Sequence, residues 1–344
     1  MIELRTLTDG GQTPEQIASE LEAFLAPAHT TLELALYDVR LSGGVGDRIR
    51  AALLGAQARG VSVRIAYNVD HPGPGEGPPP PQTDPQLLES IPLPTRGIPG
   101  RPDLMHHKYL VRDGEAVWTG STNWTNDSWS REENVIVRVP SPQIAAAYEQ
   151  DFEQLWQLQS VERTGKVAGD PVEVGGATVR PWFCPERSAK LVHRISGALG
   201  RAKRIRIASP VLTSGPILAT LAEVVDDRRA DVAGVVDATQ IHEVLGQWAG
   251  NAGGSWKTPS LLKVLREAPF SGKRSTPYAP GSVHDYMHAK VTVCDEVAFV
   301  GSFNLSHSGE LNAENVLEIA DAGIAARLAA FVDEIRARYP SVGV

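Results

Sequence analysis

The stretch Met105–Asn134, MHHKYLVRDGEAVWTGSTNWTNDSWSREEN, decides the reading of this chain, because a second version stands at Met287–Asn315, MHAKVTVCDEVAFVGSFNLSHSGELNAEN. His106, Lys108, Asp113, Gly120-Ser121, Asn123 and Glu133 recur in order as His288, Lys290, Asp295, Gly301-Ser302, Asn304 and Glu314. Even the preceding acid repeats, as Asp103-x-Met-His and Asp285-x-Met-His. One His–Lys pair two residues apart means little on a strand, where alternate side chains share a face. Recurrence of the whole series marks a duplicated site.

The flanks repeat as well. Thr13 and Pro14 cap a helix over Pro14–Leu25. Thr31–Val39 reads as a strand, Asp47–Arg59 as a helix closed by Gly60, and Val61–Val69 as a second strand, an order that favours a parallel pair with a right-handed crossover. Met105–Arg112 and Ala116–Thr119 form a hairpin around Asp113-Gly114, followed by a strand at Asn134–Val139 and a helix at Ser141–Leu158. After Thr178–Phe183 and the helix Pro185–Leu199, the series returns as Arg204–Ser209, Pro216–Val225, Asp231–Val236, Met287–Cys294, Ala298–Gly301, Asn315–Ala320 and the helix Asp321–Tyr339. The expected fold is α/β, with two similar halves, residues 1–160 and 177–344, joined by a linker over 161–176.

Two dissimilar inserts lead into the two motifs. Asp70–Arg101 contains PGPGEGPPPPQ, which excludes regular structure there and suggests a lid or rim. Thr239–Tyr286 carries Lys257, Lys263, Arg266, Lys273 and Arg274 and has room for one or two short helices.

Composition is that of an ordinary soluble α/β chain of 344 residues, 42% hydrophobic and 22% charged, long enough for a sizeable core. A formal net charge of -8 argues against a basic nucleic-acid coat, though not against a local basic channel. No apolar run approaches the ~20 residues of a membrane span, and the first residues carry no secretory pattern, so a cytoplasmic protein is expected, or a secreted one if a leader has been removed. Cys184 and Cys294 do not make a disulfide framework.

Each motif gathers an imidazole, an ammonium, an amide and a hydroxyl, all able to contact phosphate oxygens. Neither has the cysteines or grouped carboxylates of a zinc or magnesium site, so no metal and no cofactor are expected. Asp113 and Asp295 sit at hairpin turns and read as structural supports. Ser121 and Ser302 suit phosphate contact or turn capping. Trp124 and Trp129 read as packing residues, and His29, His71, His107, His193, His242, His284 and His307 have no repeated partner.

The pattern H-x-K-x4-D followed by G-S-x-N resembles the phospholipase D superfamily, with both copies intact. The loops differ slightly, since six residues separate Asp113 from Gly120 but five separate Asp295 from Gly301. The resemblance implies two α/β halves with central mixed sheets flanked by helices, related by a pseudo-two-fold axis, and motifs that meet at one active site. It implies a metal-independent phosphodiesterase in which one histidine forms a phosphohistidine and the other protonates the leaving oxygen. His106, His288, Lys108, Lys290, Asn123 and Asn304 are then catalytic, and Glu133 and Glu314 orient the histidines, with Glu132 adjacent to the first of these. A monomer suffices to build such a site.

A phosphodiester substrate is expected, with nucleic acid placed ahead of phospholipid because no anchor is visible. A phospholipase D releasing phosphatidic acid is the main alternative; Leu87, Leu88, Ile91, Leu93, Ile98 and Leu104 can supply its exposed apolar loop or form a short packed helix. A catalytically silent nucleic-acid or lipid-binding module is the alternative of another class.

Overall fold

A computed structural model describes residues 1–69, 88, 91–279 and 281–344. The sequence makes two passes through the same set of strands. The first supplies β1 (Glu3–Leu7), β2 (Thr31–Leu36), β3 (Val39–Arg40), β4 (Ser62–Val69), β5 (Thr95–Pro99), β6 (Lys108–Arg112), β7 (Ala116–Gly120), β8 (Trp124–Thr125) and β9 (Asn134–Pro140). The second supplies β10 (Val172–Val174), β11 (Ala177–Cys184), β12 (Arg204–Ala208), β13 (Asp231–Asp237), β14 (Phe270–Lys273), β15 (Val291–Cys294), β16 (Val297–Gly301) and β17 (Glu314–Ala320).

The first sheet runs β1, β9, β7, β6, β2, β4, β5 and the second β10, β11, β17, β16, β15, β12, β13, β14. Apart from β10 the orders match strand for strand, and each sheet is mixed. β2, β4 and β5 are parallel, as are β12, β13 and β14, while the motif hairpins β6–β7 and β15–β16 are antiparallel.

Burial arranges the layers. The apolar inner faces of both sheets share one core with the helices Pro142–Leu158 and Ala322–Arg338, through residues such as Tyr148, Phe152, Leu317, Leu328 and Val332. Each such fully buried side chain stabilises by about 1.5–3 kcal/mol. Outside the first sheet, Pro14–Leu25 and Gly43–Ala58 pack on Leu32, Leu34 and Ile65. Ser188–Arg201, Gly215–Asp226 and Thr258–Glu267 do the same on the second. The helix Pro14–Leu25 has the capping box its sequence announces, from Thr13 and Gln16.

Several details differ from expectation. The second helix starts at Gly43 rather than Asp47, because Gly43–Gly46 joins it despite poor intrinsic propensity. β5 is an edge strand, TRGIP, whose Pro and Gly hide it from sequence patterning. The Thr239–Tyr286 insert holds three helices, Ala238–Ala249, Ala252–Ser255 and Thr258–Glu267, plus β14. Most of the lid expected over Asp70–Arg101 lies outside the described residues. Its described apolar residues do not form an exposed loop, since Leu88, Ile91 and Leu93 are buried in the first half's core and Ile98 in the core shared by both sheets.

Candidate active site

The beginning of each motif strand is fastened to the opposite half. His106 N–H donates to the Ala313 carbonyl at 2.9 Å and Ala313 N–H to Leu104; His288 N–H donates to the Glu133 carbonyl at 3.1 Å and Glu133 N–H to Tyr286. Behind these bridges, the Met105 N–H rests on Asn68 Oδ1 and the Met287 N–H on Asp237 Oδ2, both at 3.0 Å. The two motifs therefore face each other across the pseudo-two-fold axis.

His106, Lys108, His288 and Lys290 are all buried. Lys108 Nζ donates to the His106 carbonyl at 2.6 Å, and Lys290 Nζ to the His288 carbonyl at 2.5 Å. Burial first, then the two ammonium groups, push both imidazoles well below the usual histidine range. Each histidine feels the lysine of the other half as well as its own, so the four groups form one cluster. Burial also lowers Lys108 to about 7 and pushes Lys290 down. Tyr37 lies edge-on to His106, ring centres 4.6 Å apart, and Lys108 sits over its face.

The supports of the two histidines are unequal. His106 Nδ1 meets both oxygens of Glu314, at 2.8 and 2.9 Å. His288 Nδ1 meets the amide oxygen of Asn134 at 3.2 Å, with a Glu132 oxygen at 3.4 Å. Burial raises both carboxyls, Glu314 and Glu132, to about 7.

Glu133 is a correction. It is fully buried, but its carboxylate accepts from Lys273 Nζ at 2.9 Å and from the Tyr339 hydroxyl, and it reaches no histidine. The cause is a one-residue difference in register. Gly120 pairs with Ile136, whereas Gly301 pairs with Val316, so the first loop is one residue longer. Spatially, Asn134 stands where Glu314 stands and Glu132 where Asn312 stands. Counting from the glycines places Glu133 opposite Glu314 and misses this.

Other predicted residues fall into two groups. Asn123 and Asn304 follow β7 and β16, and each keeps a buried amide oxygen without a protein partner. Ser121 and Ser302 are anchors: their hydroxyls donate to Asn134 at 2.6 Å and to Glu314 at 2.5 Å, and accept from the N–H groups of Val135 and Asn315. Their single protons are spent on the histidine supports. The glycine before each serine is required by space, because a Cβ at Gly120 would lie 2.0 Å from the Val135 carbonyl oxygen and one at Gly301 2.1 Å from that of Asn315.

Asp113 and Asp295 lie at the far ends of the motif strands, in left-handed turns with φ of 56° and 53°. Asp113 accepts from the N–H groups of His29, Thr30 and Thr31, and Asp295 from those of Lys203 and Arg204. Against the opposing pull of burial, those donors hold the Asp113 carboxyl well below the usual range. Both aspartates tie the hairpin to the start of the neighbouring parallel strand and take no part in the cluster. Trp124 and Trp129 are buried in the first half's core.

Sequence patterning does not pick out Asn68, Asp237, Asp38 or Arg40, and it leaves His284 without a repeated partner. Arg40 forms two hydrogen bonds with buried Asp38, each 2.8 Å, and contacts His284 Nδ1 at 2.8 Å. The second half places Val211 and Thr213 at the positions of Asp38 and Arg40, so repetition gave no signal. Only their position after β2 marks them. Among the described residues, no group of three or more His, Cys, Asp or Glu can hold a metal ion, and no helix is long and apolar enough to cross a membrane.

Comparison with known proteins fits this geometry. The family described as cardiolipin synthase, PLD-like domain, matches residues 21–156 and again 191–336. The chain belongs to the phospholipase D superfamily. Each match contains one of the two His–Lys motifs, so the duplication is a duplication of the PLD-like domain. Mitochondrial cardiolipin hydrolase from Xenopus tropicalis is 32% identical over 143 residues, 40% of this chain and 60% of that protein. The Chlamydomonas reinhardtii protein of the same name is 26% identical over 150 residues, 42% of this chain and 60% of the relative. The chain thus spans about three-fifths of the length of these curated relatives. Among solved structures, phosphatidylserine synthase from Haemophilus influenzae superposes with a TM-score of 0.68 at 12% identity, covering 98% of this chain and 86% of its own. Polyphosphate kinase from Porphyromonas gingivalis gives 0.62 at 12% identity, covering 98% and 47%. At such identity these two show a shared PLD-like fold alone.

Proposed function

We propose that this PLD-like chain is a phosphodiester hydrolase working through a phosphohistidine at His106, with His288 as general acid and then base. The observation that carries the reading is the meeting of two His–Lys pairs on unequal supports. Glu314 fixes a proton on His106 Nδ1 and leaves the Nε2 lone pair facing the cluster; its negative charge stabilises the imidazolium that forms as Nε2 bonds to phosphorus. His288 leans mainly on a neutral amide oxygen, which holds an imidazolium less firmly and lets Nε2–H leave readily.

In the first step His106 Nε2 attacks phosphorus, the P–O bond to the alcohol breaks, and the alcohol oxygen takes the His288 proton. In the second, His288 removes a proton from water, the hydroxide attacks phosphorus, and the P–N bond returns its electron pair to His106. Lys108, Lys290, Asn123 and Asn304 hold the equatorial oxygens as charge gathers on them.

For the substrate, the charges of the second insert support a small or lipid diester over a nucleic-acid strand. Four of the five insert cations expected to line a basic channel are engaged elsewhere. Lys263 pairs with Asp226, Arg266 binds the Val344 carbonyl, Lys257 the Thr213 carbonyl, and Lys273 is buried against Glu133. Polyanion binding needs such cations free along a track. The names of the curated relatives, cardiolipin hydrolases, also support a lipid diester.

The test is hydrolysis of bis(p-nitrophenyl) phosphate with and without EDTA, combined with mass-spectrometric trapping of the intermediate. Wild type should be EDTA-resistant, and His106→Ala should lose activity about a thousandfold or more. His288→Ala should accumulate phosphate on His106. Phosphate trapped on His288 in wild type would reverse the two roles.

A further inference from the structure

We propose that the pocket beside His288 is a subsite for the alcohol of the diester, and that it selects a hydroxyl-rich or cationic group against one carrying a second phosphate. The inference rests on the phosphodiesterase reading above and names which diesters that site accepts.

The pocket has a volume of about 280 Å³ and lies between the helix Ala238–Ala249, the segment Ser275–Tyr278 and Tyr286. Tyr286 is two residues before His288, roughly 7 Å along extended chain. Its carbonyl holds the Glu133 N–H whose own carbonyl holds His288, so the pocket is rigidly coupled to the motif. The volume falls just below the ~300–1,000 Å³ of sites for drug-sized ligands, which suits one small alcohol rather than a strand or a whole lipid.

The walls present acceptors. Ser275 Oγ–H donates inward to Asp237 at 2.8 Å, Thr276 Oγ1–H to Asp285 at 3.0 Å, and Thr239 Oγ1–H to the Ser275 carbonyl at 2.8 Å. Each hydroxyl has one proton, so these three turn lone pairs toward the cavity. Glu243 adds an exposed carboxylate to the lining. Among the described lining residues, the side-chain donors are the amides of Gln240 and Gln247 and the hydroxyls of Tyr278 and Tyr286, and none is Lys or Arg.

The positive end of the helix Ala238–Ala249, which otherwise draws anions, is already met by Asp237, which accepts the Gln240 N–H at 3.0 Å. Arg40, which reaches His284 near this rim, is neutralised by its two hydrogen bonds to Asp38. A glycerol or ammonium-bearing alcohol finds partners here. A phosphate, which brings acceptors and negative charge, does not, so a diester whose leaving alcohol carries a second phosphate, as in cardiolipin, is a poor substrate here even though the relatives' names support a lipid diester.

The matched pair of probes is phosphatidylglycerol and phosphatidylglycerophosphate in the same detergent micelles, which differ by one headgroup phosphate. Water-soluble glycerophosphoglycerol reports whether the alcohol is recognised without the lipid, and bis(p-nitrophenyl) phosphate gives the baseline. Wild type should release phosphatidic acid from phosphatidylglycerol about tenfold faster than from phosphatidylglycerophosphate. Glu243→Lys should narrow that ratio to about threefold or less, and Glu243→Gln, which removes the charge without adding one, should narrow it by a smaller factor. Equal or faster cleavage of the phosphorylated headgroup, or an unchanged ratio in Glu243→Lys, overturns the subsite. Absence of bis(p-nitrophenyl) phosphate turnover in wild type would instead overturn the phosphodiesterase reading.

Discussion

The two histidine supports use the same pair of residue types in opposite order. After β16, Asn312 precedes Glu314, and Asn312 Nδ2 donates to the carboxylate that holds His106. Before β9, Glu132 precedes Asn134, and Asn134 Nδ2 donates to Glu132 at 2.9 Å while its oxygen holds His288. In both halves a serine hydroxyl donates to the residue nearest the histidine, Glu314 or Asn134. The scaffold is thus repeated while charge and amide are transposed. A duplicated site can therefore assign different work to its two histidines with little change in backbone geometry.

Substitutions that disturb one side test this contrast. Glu314→Gln should lower kcat for bis(p-nitrophenyl) phosphate about a hundredfold, because it removes the charge that stabilises the phosphohistidine cation. Glu132→Gln, whose carboxylate stands 3.4 Å from its histidine, should cost about tenfold. Equal losses in steady-state assays would remove the asymmetry. Transposing the first-half pair, Glu132→Asn with Asn134→Glu, should keep activity within about tenfold of wild type and make phosphohistidine trapping less selective between His106 and His288.

Glu133 provides the control. Glu133→Ala leaves Lys273 buried without its main partner, so urea denaturation should show a loss of about 3 kcal/mol, with kcat changed less than about threefold. A large kcat effect without loss of stability would return Glu133 to the chemistry.

The smallest effects concern pH. His106 attacks as a neutral imidazole, and its depressed pKa keeps it neutral as pH falls. The likewise depressed His288 must carry the proton it donates, so kcat/KM should increase as pH falls and turn down only when His106 is protonated, well below 6.5. Lys108 is charged below about 7, so anion binding should weaken and KM rise as pH increases through that value. Lys108→Met should give a high KM that no longer depends on pH there.

The sequence made the architecture and the reactive groups readable because both repeat. Duplication turned His106, Lys108, His288 and Lys290 from isolated polar residues into a site, and turn chemistry set Asp113 and Asp295 aside as supports. Glu133 misled because a one-residue change in a loop is invisible to counting but reverses which side chains face the cluster. Asp38, Arg40 and the lining of the pocket beside His288 were hidden for another reason. They belong to one half only, so no internal comparison exposes them.

The bridges of His106 to Ala313 and of His288 to Glu133 have a consequence for how this chain can be divided. Each reactive imidazole is fixed on a strand of one half and oriented by a side chain of the other. Cut within residues 161–176, the two fragments would each hold a histidine with an unconstrained ring and a support with nothing to hold. Activity would then report reassembly, rising with the product of fragment concentrations rather than with either alone.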